Sequence, residues 1–186
     1  VGGGLVEGAQ AAFRSGWAYE SRLSRAVSVV AVAPPLKRVT LWVRSLERSL
    51  ALYRDVLGLE VLEEKQLQGA AIARMVGLDE ASLRIAHLGR AGEPFGWIGL
   101  YEICDTAPRP MGETGSPRQF PLYGQSTLVF ETTRVADLAV KIAALEGVTI
   151  MAGPTAYARG DGTFQELIFL DPDGIPVSLM GFTPAS

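Results

Sequence analysis

The 186-residue chain carries one histidine, His87, and one cysteine, Cys104, so few side chains are available for metal or nucleophile chemistry. A zinc site of the Cys/His type needs several such ligands and is not available here. A single cysteine also makes no internal disulfide. His87 sits between Ala86 and Leu88 in the extended segment LRIAHL. In that setting it reads first as a hydrogen-bonded structural residue and second as a weak candidate for acid–base catalysis. Cys104 ends an extended segment with no histidine or second cysteine near it in sequence and reads as an inert small residue. Asp171 and Asp173 belong to the tetrapeptide DPDG, whose proline presets φ and whose glycine accepts positive φ, so they mark a turn. A calcium site would need more carboxylates than this stretch has. Gly2-Gly3-Gly4 lacks the strand–loop–helix setting of a phosphate loop, and no Ser-His-Asp set is visible. The formal charge of −3 argues against a nucleic-acid partner, which would call for a basic stripe.

The elements that must hold these groups follow from a repeat. Val39–Arg44 (VTLWVR) is β-branched and aromatic, as strands are. Ser45 then serves as a helix cap, and Leu46, Leu50, Tyr53 and Leu57 recur at helical spacing. Gly58 ends the helix and Leu59-Glu60-Val61-Leu62 opens a second strand. The pattern returns 89 residues later. Leu128–Thr133 is the strand, Val135, Leu138, Ile142 and Leu145 form the helical stripe, Gly147 stops it, and Val148–Met151 begins the next strand. Each unit continues with two extended segments, Leu83–Leu88 and Trp97–Ile103 in the first, Phe164–Leu170 and Ile175–Met180 in the second. Gly69–Ala81 is expected to hold one short helix. The fold class is therefore α+β: a βαβββ module written twice. The modules are expected at 36–104 and 126–186, joined by a Pro- and Gly-rich linker at 105–125.

Residues 1–35 precede the repeat and read as a helical arm, with Phe13 and Trp17, and Tyr19 and Leu23, paired four apart. Its expected role is docking on the main domain or on a second copy. Arg22 and Arg25 followed by a short apolar run and Ala31-Val32-Ala33 imitate a secretion signal, but the apolar core is short. An uncleaved segment and a cytoplasmic location are expected, with the stretch at 22–33 leaving export open. No run approaches the ~20 apolar residues of a membrane-spanning helix.

The segment LKRVTLWVRSLERSLALYRDVLGLEVL, together with DPDG and a final strand, resembles the glyoxalase/bleomycin-resistance/ring-cleaving dioxygenase group, the vicinal oxygen chelate superfamily. The resemblance spans about Leu36 to Phe182. It implies two modules whose mixed sheets curl around one cavity and, in enzymatic members, a divalent metal at the cavity floor acting as a Lewis acid. It places metal-binding histidines at the start of each module's first strand and glutamates in each last strand. Those positions fall here on Arg38, Thr127, Gly99 and Ser178. Arginine stays protonated, glycine has no side chain, and lone hydroxyls are weak ligands. No metal and no other cofactor is therefore expected, a divalent metal on non-standard ligands being the alternative.

Side chains alternate along a strand. Thr40 and Trp42 thus share the face of Arg38, Trp97 and Tyr101 that of Gly99, Val129 and Glu131 that of Thr127, and Pro176 and Met180 that of Ser178. Together these residues are expected to line an aromatic pocket with a few polar points. Arg38 would grip an anionic group, or else point to solvent beside Lys37. Glu131 would be an ion-pair partner of Arg38 or a general base. Glu102 should face away from the pocket unless the strand slips by one residue. The expected function is metal-free binding of a small organic molecule, anionic in the favoured case. An active lyase, isomerase or ring-cleaving dioxygenase is the alternative, leaving enzymatic status undecided, and an interaction-only domain is a third reading. The expected partners are a small-molecule ligand and a second copy in a homodimer, with no nucleic acid and no membrane.

Overall fold

The structure is a computed structural model, and it describes residues 36–104 and 124–185. The expected arm at 1–35 and most of the linker lie outside the described residues. Strand β1 (Arg38–Val43) leads into helix α1 (Leu46–Leu50), which continues as a π-helical segment, Ala51–Val56. Ser45 caps α1, its hydroxyl accepting from the Arg48 amide at 3.3 Å. Strand β2 (Glu60–Gln68), helix α2 (Ala70–Val76), β3 (Ser82–Gly89) and β4 (Trp97–Ile103) complete the first module. The second module runs β5 (Leu128–Glu131), α3 (Val135–Ala143), β6 (Thr149–Arg159), β7 (Gly162–Leu170) and β8 (Pro176–Pro184).

Each module builds a four-stranded mixed sheet in the same spatial order. The orders are β1-β4-β3-β2 and β5-β8-β7-β6, with the first and last strands of each module parallel. The expected βαβββ repeat and the α+β class are therefore present. Gly58 and Gly147, 89 residues apart, both adopt the left-handed conformation (φ +78° and +82°) that lets the chain leave the helix for the next strand.

One side of each sheet is covered by helices. Leu41, Val43, Ile98 and Leu100 of the first module and Val177, Leu179, Leu167 and Phe169 of the second enter one continuous core, with Leu46, Leu50, Leu52 and Tyr53 on one side and Val135, Ala139 and Ile142 on the other. The DPDG turn fastens the modules together. Asp171 is buried, and its Oδ1 accepts from the amides of Asp173 (2.9 Å) and Ile175 (2.8 Å). Its Oδ2 accepts from the Tyr53 hydroxyl of the first module at 2.9 Å. Asp173 accepts from the Arg44 amide at 3.0 Å. The turn foreseen as local thus reaches across to the end of β1. Burial pushes the Asp171 carboxyl above the usual range despite these bonds, and burial beside Asp171 raises the Tyr53 phenol.

Candidate functional site

The face of the first sheet opposite α1 gathers most of the chemistry. Register sets Arg38 opposite Trp97, Thr40 opposite Gly99 and Trp42 opposite Tyr101. It sets His87 opposite Gly99 on the other side, and Glu63 opposite His87. Strand alternation then puts Arg38, Thr40, Trp42, Trp97, Gly99 and Tyr101 on one face, as expected, and adds His87 and Glu63. The rings of Trp42 and Tyr101 meet edge to face at 5.4 Å, and that of His87 lies 5.9 Å from Tyr101 and 6.2 Å from Trp97. Trp97 is fixed by its indole N–H, which donates to the Glu93 carbonyl at 2.7 Å.

Two cations stand over these rings. The Lys37 ammonium lies 3.7 Å from the Trp97 ring centre, and the Arg38 guanidinium 5.5 Å from that of Tyr101. Arg38 is half-buried and donates from Nε to Thr40 Oγ1 at 3.3 Å. Among the described residues no carboxylate lies within ion-pair distance of it. Gly99 is buried, and its neighbours close over the centre of the face. A Cβ there would stand 2.9 Å from Tyr101 Cε1 and 3.4 Å from both Arg38 Cδ and His87 Cδ2.

His87 is 2% exposed and uses both ring nitrogens. Nδ1 lies 2.8 Å from Glu63 Oε2, and Nε2 lies 3.2 Å from the Tyr101 hydroxyl. Desolvation lowers its pKa, the bond to Glu63 opposes this, and the charges of Arg38 and Lys65 add to the lowering. The Glu63 carboxyl is held below its usual range by hydrogen bonds from Lys65 first and His87 second. The expectation of a hydrogen-bonded histidine agrees with this geometry. Its place on the open face, and the presence of Glu63 and Lys37 there, went unforeseen.

The remaining candidates lie on the second module. Val129 pairs with Ser178 and Glu131 with Met180, as the repeat requires. Ser178 is buried and its hydroxyl donates to Glu166 Oε1 at 2.8 Å. Met180 is half-buried, while Thr127, Val129 and Glu131 are exposed. The expected Arg38–Glu131 ion pair does not form, because β5 ends at Glu131 in solvent. Among the described residues, no hydrogen bond, ion pair or ring contact joins these second-module residues to those of the first sheet. Glu102 shows no slip: paired with the buried Val43, it accepts from the Leu46 amide at 3.0 Å and from Arg84 at 3.2 Å on the helix side.

A divalent cation does not fit this donor set. The positions the resemblance assigns to ligands hold a guanidinium, a glycine, an exposed threonine and a serine already bonded to Glu166. Both nitrogens of His87 are engaged, and no group of three His, Cys, Asp or Glu side chains suited to a metal occurs among the described residues.

The family model of the Glyoxalase/Bleomycin resistance protein/Dioxygenase superfamily matches residues 36–179. The chain belongs to this superfamily. No curated protein matches it in sequence. Among solved structures, a glyoxalase family protein from Bacillus cereus superposes on this superfamily member with a TM-score of 0.61 at 15% identity, covering 79% of this chain and 93% of its own. The trypanothione-dependent glyoxalase I of Leishmania major gives 0.52 at 15% identity, covering 80% and 87%. At these identities the likeness establishes the glyoxalase-superfamily fold. Among the described residues no helix is long and apolar enough to cross a membrane.

Proposed function

We propose that this glyoxalase-superfamily protein binds a flat organic anion, without a metal, on the open face of its first module. The observation that carries the proposal is Arg38. A half-buried guanidinium with no carboxylate partner among the described residues, set over Tyr101 beside Trp42 and Trp97, has free N–H groups and an aromatic wall. Burying a cation without a counter-charge is costly, and a carboxylate ligand supplies one through charge-assisted hydrogen bonds. Lys37 adds positive charge at the Trp97 end. The absence of a side chain at Gly99 lets the Tyr101 ring, Arg38 and His87 stand close together.

Benzoate and its neutral isostere benzamide test this, read by the fluorescence of Trp42 and Trp97. Benzoate should bind and benzamide should bind more weakly. Arg38→Ala should cost benzoate about 1–2 kcal/mol, roughly 5- to 30-fold, for a charge-assisted contact that water partly screens. Equal affinities for the two probes, or unchanged benzoate affinity in Arg38→Ala, overturn the proposal.

A further inference from the structure

We infer that the Glu63–His87–Tyr101 chain fixes the Tyr101 hydroxyl as a hydrogen-bond acceptor toward the ligand, so that the site selects anions carrying a hydroxyl or N–H donor. This rests on the anion site proposed above and names the second group its ligand must carry.

The polarity follows link by link. An ionised carboxylate only accepts hydrogen bonds. Glu63 is kept ionised by Lys65, whose ammonium lies 3.1 Å from both carboxylate oxygens, and by His87. The 2.8 Å contact to Glu63 therefore requires the proton of neutral His87 on Nδ1. That leaves Nε2 with a lone pair, and the Tyr101 hydroxyl at 3.2 Å must donate to it. The hydroxyl has one proton, now committed. Toward the open face it offers lone pairs alone. The charged groups around His87 are Arg38 from β1, Glu63 and Lys65 from β2, and the titratable Tyr101 from β4. The cations and burial both favour the neutral ring on which this polarity depends. A ligand anchored at Arg38 and lying beside Tyr101 then satisfies the phenol oxygen by donating to it. An ether or carbonyl at the same place meets lone pair against lone pair. Tyr101 is the specificity-determining residue, and His87 and Glu63 position its proton.

The test uses the full chain with benzoate, 3- and 4-hydroxybenzoate, and the two matching methoxybenzoates, together with the 15N resonances of the single histidine. A hydroxybenzoate should bind about 2- to 10-fold tighter than its methoxy counterpart, the range of one hydrogen bond. Tyr101→Phe should abolish that preference, so that each hydroxybenzoate and its methoxy counterpart bind alike. His87→Phe frees the phenol proton and should raise methoxybenzoate affinity toward that of the hydroxy compound. The nitrogen spectrum should show Nδ1 protonated and Nε2 bare, and this measurement decides even if His87→Phe does not fold. Benzoate binding through Arg38 with no hydroxyl preference, or an Nε2-protonated ring, overturns the inference and leaves the anion site standing. No benzoate binding overturns both.

Discussion

Tyr53→Phe removes one oxygen from the junction of the two modules. Tyr53 is 0% and Asp171 1% exposed, and the lost bond is the 2.9 Å contact to Asp171 Oδ2. Oδ1 keeps its two amide donors, so the turn itself should persist. A hydrogen bond to a buried charged group contributes about 1.5–3 kcal/mol. The ring keeps its volume, so little cavity cost is added. For a domain of this size each kcal/mol corresponds to roughly 2–4 °C, giving a fall of about 3–12 °C in Tm. Urea unfolding at neutral pH, followed by tryptophan fluorescence, measures the same quantity. The raised pKa of Asp171 adds a pH signature. The folded state holds this proton more tightly than the unfolded chain, so the group's contribution to stability falls as pH rises from the ordinary carboxylate value through the folded one. Below the folded value the carboxyl is neutral, and the Tyr53→Phe deficit should shrink to about 0.5–1.5 kcal/mol. A deficit under about 0.5 kcal/mol at neutral pH would refute the idea that this bond joins the modules.

Gly99→Ala should destabilise by about 1–2 kcal/mol, because crowding Tyr101, Arg38 and His87 outweighs the unfolded-state gain of about 0.4–1 kcal/mol; a more stable variant in urea would show that the face yields freely. Because His87 binds its proton less tightly folded than unfolded, stability should fall as pH drops from the ordinary histidine value through the lowered one. His87→Gln should lack that component when urea unfolding is compared from about pH 8 to pH 5, and a steeper slope in the variant would contradict the assigned burial.

The repeat was readable because it is written in hydrophobic periodicity and helix-ending glycines. Equating Arg38 with Thr127 and Gly99 with Ser178 agrees with the observed ladders, since Thr40 faces Gly99 as Val129 faces Ser178. The place of His87 was not readable in the same way. Its face relative to Gly99 depends on the antiparallel register of β3 and β4, and residues 90–96 between them do not encode a turn of fixed length. Glu63 was hidden for a related reason: β2 shifts register between Val61 and Glu63, which breaks simple alternation. In β6, read from the sequence only as far as Met151, the strand runs on through Gly153-Pro154 to Arg159, with a register shift between Ala152 and Thr155 at the proline. The inter-module grip of DPDG lay beyond the sequence because hydrogen bonds between residues more than a hundred positions apart leave no local pattern.

The core shared by the two modules lies on the helix side of both sheets. On the other side, exposed positions such as Trp42 and Val129 can change without disturbing that core, whereas the buried His87 and Ser178 cannot be exchanged so freely. A protein engineer can exploit that latitude to install new recognition at those exposed positions without redesigning the scaffold.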